Sequence, residues 1–267
     1  MPAAGAPLWS SYAQLQAAGG QLRVAPGPAP EAGWLSAARL DPQLLAAASG
    51  WNGGGCAPRP DVAATWALRG YVWLVGVLVA APLLLERRVP LLTPGRLWLS
   101  PDGIDRAVLD PSPLYCLPTD PLLGANDRPA ALTPVADLAA LRAQARRVLV
   151  DQLTPVVAGF GPLLRRGAQA SWRLVADELV GAVWYVGRVL GRSDWAAAEA
   201  GALLPGRTPP LVTAAAFREV SLEDRTALTR TRASCCLFYT LPDVVDCLTC
   251  PRVSEAQRLE RLRAGEE

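Results

Sequence analysis

Residues Gly70–Leu85 read GYVWLVGVLVAAPLLL, and this stretch decides the fold. No charge interrupts it between Arg69 and Glu86. A helix that crosses a bilayer needs about 20 apolar residues; this run is shorter and carries Pro82 near its end. It predicts a buried core helix that starts at an Asp61 cap and ends near Leu85. Its apolar residues lie on all sides, so other elements must cover it. A peripheral membrane contact is the alternative use of such a surface.

Working outward, Arg96–Ser100 (RLWLS) and Ile104–Leu109 (IDRAVL) flank Pro101-Asp102-Gly103, which predicts a hairpin. Proline-rich residues 111–134 read as a surface wrap. Val135–Leu153 is an amphipathic helix with Val135, Leu138, Ala145, Val148 and Leu149 at helical spacing, and Pro155, Gly159, Gly161 and Pro162 interrupt the pattern beyond it. Trp172–Leu190 is a second strong helix with Trp172, Val175, Leu179, Val183, Val186 and Leu190 on one stripe. Gly191 closes it, and Ser193 caps a shorter helix to Leu204. Leu211–Val220 reads as a strand, and Ser254–Arg263 as a charged helix. On the N-terminal side come a helix at Leu8–Ala18, a loop at Ala25–Gly33, a short helix at Pro42–Ala48 capped by Asp41, and a glycine-rich loop at Trp51–Pro60. The expected class is α+β, mainly helical with a small antiparallel sheet and a metal-stapled C-terminus. Residues 1–228 form the larger unit and 229–267 the C-terminal segment.

The chain has 267 residues and is 51% hydrophobic, enough for a substantial core. All 26 basic residues are Arg, and there is no His. That removes Ser-His-Asp triads, His-ligated zinc enzymes, His-ligated haem and Rieske centres. A metal must rest on Cys, carboxylate or backbone. The net charge is +2 and Arg is scattered, with Arg87-Arg88, Arg146-Arg147 and Arg165-Arg166 read as solvated pairs; no nucleic-acid partner is expected. The N-terminus MPAAGAPLWSSYAQLQ lacks a basic region followed by an apolar core, so the expected location is cytoplasmic. Clustered thiols there point to metal or redox work rather than disulfides.

Four of six cysteines fall within SCCLFYTLPDVVDCLTCPR, residues 234–252. Cys247-x-x-Cys250 is a chelate loop: two thiolates on one tetrahedral metal lie roughly 3.7 Å apart, within reach of one turn. Cys235-Cys236 is unusual, because neighbours on an extended strand point to opposite faces. Both can serve one site only if the backbone turns there. A two-iron rhomb, with two thiolates per iron, suits such a pair better than a four-iron cubane. Four Cys without His is an ordinary [2Fe–2S] ligand set, and a structural Cys₄ zinc site would use the same residues.

The string CCLFYTLPDVVDCLTCPR resembles the C-terminal motif of the FhuF-type ferric-siderophore reductases. That motif is Cys-Cys-x10-Cys-x-x-Cys, with Tyr and Pro inside the insert and Pro-Arg after the last Cys; Tyr239, Pro242, Pro251 and Arg252 match it. Upstream, a looser likeness runs through an apolar helix leading to a Val-Pro, a short hairpin, and two long helices with Trp172 opening the second. The resemblance implies a [2Fe–2S] cluster on Cys235, Cys236, Cys247 and Cys250, in a C-terminal iron–sulfur-binding segment. It also implies one-electron reduction of ferric iron held by a siderophore, with an unidentified electron donor. The alternative is a zinc- or cluster-stapled module that binds a siderophore or senses iron without turnover.

An anionic chelate favours nearby Arg, and Arg232 and Arg252 flank the cysteines as candidate substrate-binding residues. Arg252 has a second reading, satisfying loop carbonyls beside the cluster. Cys56 and Cys116 read as lone thiols. Trp51, Trp66 and Trp73 are candidate aromatic platforms for a siderophore. Gly53-Gly54-Gly55 is no phosphate loop, since no Lys-Ser/Thr comes after it.

Overall fold

The computed structural model describes residues 9–28, 30, 33–42, 59–110, 113–125, 132–223, 226–241 and 246–264. Its elements are α1 (Trp9–Ala17), β1 (Arg23–Pro26), β2 (Leu35–Ser36), α2 (Pro60–Glu86), β3 (Arg88–Pro90), β4 (Leu97–Ser100), β5 (Gly103–Leu109), β6 (Leu114–Cys116), β7 (Leu132–Pro134), α3 (Leu138–Phe160), α4 (Ala168–Val189), α5 (Ser193–Leu203), β8 (Phe217–Ser221), β9 (Thr226–Arg230) and α6 (Glu255–Arg263). The short helix at Pro42–Ala48, the glycine-rich loop with Trp51 and Cys56, and Pro242 fall wholly or largely outside the described residues.

Helix α2 is the core. Pro60 opens it, where a missing N–H costs nothing. Asp61 is not the cap: Arg59 holds that position, and the Asp61 carboxylate lies in the first turn, paired with Arg59 at 3.0 Å. The helix ends at Glu86, close to the expected Leu85, and runs through Pro82. A proline has no N–H for the carbonyl four residues earlier, here Leu78. The hydroxyl of Tyr12 on α1 donates to that carbonyl at 2.8 Å, so the orphan acceptor is satisfied from outside the helix. Arg87, at φ 55°, closes α2 by donating its N–H back to Pro82.

Helices α4, α3 and α1 cover α2, with α4 in the most extensive contact. A Cβ at Gly76 would lie 2.6 Å from that of Ala182 on α4, so glycine lets the two backbones approach. Val62, Leu68, Leu74, Val75, Leu78 and Leu83 are all sealed from solvent, each worth about 1.5–3 kcal/mol relative to exposure. By length and composition α2 could cross a membrane, but 78% of its most apolar window is buried inside the protein. The burial supports the core-helix reading.

Among the described residues the sheets are three and small. The expected hairpin is present as β4–β5, with an irregularity between Leu99 and Ser100. It sits inside a four-stranded sheet of order β1-β5-β4-β2. Strand β1 pairs parallel to β5, so the expected loop at Ala25 begins with strand instead. The second sheet, β3-β6-β7, draws two strands from the proline-rich stretch and contains a parallel β6–β7 pair. Leu114, Cys116 and Leu132 are buried there; that stretch is therefore partly core rather than surface wrap. The class is α+β as expected, with two parallel pairings added.

Asp137 caps α3 through the Ala140 N–H at 2.8 Å, and α3 runs through Pro155 to Phe160. Gly191, at φ 65°, follows α4. Ser193 lies inside α5, with Arg192 at the cap. Only the end of the Leu211–Val220 run is strand; it pairs as β8 with β9. Val220, Leu248 and Leu262 form a second small core with Leu222, Ala227 and Leu259, which ties the β8–β9 hairpin to the cysteine segment across residue 228. The arginine pairs are not simply solvated. Arg88 is buried in a bidentate pair with Asp120 at 2.7 and 3.0 Å, and Arg87 meets Glu199 at 2.9 Å.

Candidate metal centre

Strand β9 delivers the chain to α4. The Asp177 carboxylate accepts the backbone N–H groups of Ala233 at 3.0 Å and Ser234 at 2.8 Å, and the Ser234 hydroxyl. This pins the segment just before Cys235-Cys236. Leu237 then adopts φ 64°, and its N–H donates to the Cys235 thiol at 3.4 Å. The backbone is turned there rather than a straight strand, as an adjacent ligand pair requires. Phe238 comes next, with its ring 4.9 Å from that of Trp66 on α2.

The second pair sits on its own turn. The Cys250 N–H donates to the Cys247 carbonyl at 2.8 Å, and the Val253 N–H to the Cys250 carbonyl at 3.2 Å. Arg258, buried on α6, donates to the carbonyls of Leu248, Cys250 (3.3 Å) and Val253 (3.0 Å). Arg261 donates to that of Asp246 at 2.5 Å. Helix α6 is itself set by a capping box between Ser254 and Gln257.

The two loops meet through sulfur. The Cys236 and Cys247 thiols bear on each other's ionisation, which lowers the Cys247 pKa and, with burial, pushes Cys236 up. Burial also raises Cys250, with Asp246 and the Cys247 and Cys235 thiols adding like charge. Positive charge backs the thiols. Arg69 and Arg232 both lower Cys247, and Arg166 donates to the Cys235 carbonyl at 3.2 Å. Arg69 and Arg232 converge on Glu178 of α4, Arg69 at 2.7 Å. Desolvation pushes that carboxyl up, but Arg69, Arg232 and Arg230 outweigh it and hold it at about 2.

The structure therefore brings all four cysteines into two neighbouring turns. Among the described residues, however, no group of three Cys, Asp or Glu converges closely enough to hold an ion. Arg232 points inward to Glu178, its side chain 2% exposed. It acts on the thiols from behind rather than meeting a ligand at the surface. Arg252 is exposed and lies 3.8 Å over the Tyr239 ring. The carbonyl-satisfying role expected of Arg252 belongs to Arg258. Arg258, Asp177, Glu178 and Arg166 escaped the sequence reading. Only the alternation of Arg258 with Leu259 and Leu262 on a capped helix hinted at an inward face, and nothing local marks the others. Trp66 and Trp73 are packed against Phe238 and Tyr185. Cys116 is sealed in β6.

A cavity of about 900 Å³ opens beside Cys247, lined by Trp184, Tyr185 and Arg188 of α4 and by Thr229 and Arg230 of β9.

Residues 232–252 match the family model described as the FhuF 2Fe-2S C-terminal domain. No curated protein matches the chain. In donor chemistry the residues present fit a [2Fe–2S] group: four thiols lie two to a turn, and guanidinium charge stands behind them. The segment at 232–252 is thus similar to the FhuF 2Fe-2S C-terminal domain, and that match together with the four thiols supports a [2Fe–2S] cluster as the cofactor.

Proposed function

We propose that the protein is a cytoplasmic ferric-siderophore reductase, with Cys235, Cys236, Cys247 and Cys250 as the ligands of its cluster. The cluster supplies single-electron transfer when bound. Each thiol has a definite task. Cys236 and Cys250 are buried and anchor the site to the protein, while Cys235 and Cys247 are half-buried and lie toward solvent. Asp177 and Arg258 hold the two loops by their backbones, so neither loop depends on the thiols alone for its shape. Arg69, Arg166 and Arg232 offset the charge of four thiolates.

The substrate is ferric iron in a chelate of hard anionic oxygens. One added electron gives Fe(II), a softer and less charged ion for which those ligands have lower affinity, and the iron is released. The electron comes from a separate one-electron donor. One electron enters and one leaves, and no side chain of the protein needs to gain or lose a proton.

The observation that carries this reading is the coincidence of the matched segment with two turn-borne thiol pairs. The test is anaerobic: dithionite-reduced, desalted protein is mixed with ferric chelates and a ferrous-specific trapping dye. We expect about one Fe(II) per reduced cluster. If no chelate yields Fe(II), the protein is a binding or sensing module instead.

A further inference from the structure

Among the described residues, no carboxylate forms an ion pair with Arg166. Its neighbours differ in this respect. Arg69 and Arg232 share Glu178, Arg230 faces Glu178 and Asp177, and Arg59 pairs with Asp61. Arg166 has only neutral hydrogen-bond partners: Nη1 donates to the Cys235 carbonyl at 3.2 Å and Nη2 to the Thr65 hydroxyl at 3.4 Å. We infer that Arg166 sets the reduction potential of the cluster, its uncompensated charge beside Cys235 favouring the reduced state. This inference rests on the cluster-bearing reductase reading and names a residue that tunes it.

Three observations carry it. First, the guanidinium is held at two points. Thr65 is sealed from solvent and its hydroxyl donates to the Asp61 carbonyl at 2.7 Å. The Thr65 oxygen is thereby turned to accept from Arg166. One end of the guanidinium is tied to the first turns of α2 and the other to the backbone of a ligand residue, so its charge keeps a fixed distance from the thiols.

Second, the backbone is bent to deliver it. Arg165 is exposed and takes φ 46°, a conformation that is unfavourable for a residue with a Cβ. The next residue, Arg166, is turned inward and half-buried, immediately before Gly167 at the cap of α4.

Third, the anionic charge that Arg166 meets is that of the ligand pair. Burial lowers its pKa; the attractions opposing this come first from the Cys235 and Cys236 thiols and then from Asp61. The guanidinium stays protonated throughout. A reduced cluster carries one more negative charge than an oxidised one, so a fixed cation stabilises the reduced state more. The charges of Arg69 and Arg232 are offset in part by Glu178 at close range; that of Arg166 is not.

The test is a redox titration of the cluster-loaded full chain at low ionic strength, followed by EPR and visible absorption with no siderophore present. Iron and sulfide are counted on each sample. Arg166→Gln should reduce the equilibrium constant for accepting an electron about tenfold, a midpoint lower by about 59 mV for one electron. Arg166→Lys keeps the charge and should restore most of the shift, which a purely structural role would not allow. Arg165→Gln removes the same charge from the exposed neighbour and should shift the midpoint less than half as far. Gly167→Asp leaves the cysteine turn untouched. Gly167 has φ −69° and ψ 160°, and open space where a Cβ would go, so Asp fits there as a helix cap. Its carboxylate beside Arg166 should also lower the midpoint. Midpoints unmoved by Arg166→Gln and Gly167→Asp, or an Arg166→Lys midpoint as low as that of Arg166→Gln, overturn the inference. If Arg166→Gln does not retain the cluster, an unmoved midpoint in Gly167→Asp overturns it alone. Ferrous trapping that succeeds beside unmoved midpoints removes only this role of Arg166, whereas failed trapping beside the expected shifts removes only the reductase reading.

Discussion

Glu178 stands among Arg69, Arg230 and Arg232, on helix α4 and nearly sealed from water. Replacing one partner of a buried pair leaves the others uncompensated, at about 3–5 kcal/mol. Glu178→Gln should therefore lower stability by that order in urea unfolding. Its pH dependence has a definite sign. The folded pKa, about 2, lies below the ordinary 4.5, so the contribution of the ionised carboxylate is complete above about pH 4.5 and lost as pH falls toward 2. The stability gap between the native protein and Glu178→Gln should close over that window, since protonated Glu and Gln carry the same charge. A gap that is constant with pH would show that the carboxylate does not act through its charge. None of this was legible locally. Arg69, Glu178 and Arg232 are far apart in the chain, and Arg232 beside the cysteines read as a substrate-binding residue. The four cysteines were legible because spacing within one short segment is a local property.

At the scale of elements, two features can be probed one at a time. Tyr12 supplies the hydrogen bond that Pro82 denies to the Leu78 carbonyl. Tyr12→Phe should leave a buried acceptor unpaired and cost about 1–3 kcal/mol, with hydrogen exchange rising first in the last turns of α2. Ser254 caps α6, and α6 carries Arg258 to the carbonyls of the Cys247–Cys250 turn. Ser254→Ala should cost about 1 kcal/mol in stability, and cluster loss to an added chelator should be faster than in the native protein. Unchanged loss would detach α6 from the site. These elements also show what a sequence pattern can and cannot say. The β4–β5 hairpin was readable because its turn is local. The parallel β1–β5 and β6–β7 pairings join strands through long connections, and no turn residue announces them. Pro82 and Pro155 read as breaks, yet both lie inside helices held by surrounding packing.

The whole molecule is organised around α2. The helix is wrapped by α1, α3 and α4, and α4 then carries Asp177, Glu178, Trp184 and Arg188 from the core to the cysteine segment and the cavity beside it. The same helix thus positions the cysteine loops and one wall of the cavity beside them. Gly76 keeps α2 and α4 close, and Gly76→Leu should cost about 1–3 kcal/mol by overpacking while loosening the cysteine segment that α4 holds. A drop in melting temperature with unchanged cluster retention would show that the two are not coupled.

The claim on which the rest depends is that Cys235, Cys236, Cys247 and Cys250 hold a [2Fe–2S] cluster. The most direct measurement is the EPR spectrum of the dithionite-reduced, anaerobically purified protein, taken with iron, sulfide and zinc counts on the same sample. The account predicts two iron and two sulfide per chain, a spin-half signal on reduction, and loss of both in each Cys→Ser variant at these four positions. A colourless protein with one zinc per chain and no reduced signal would contradict it.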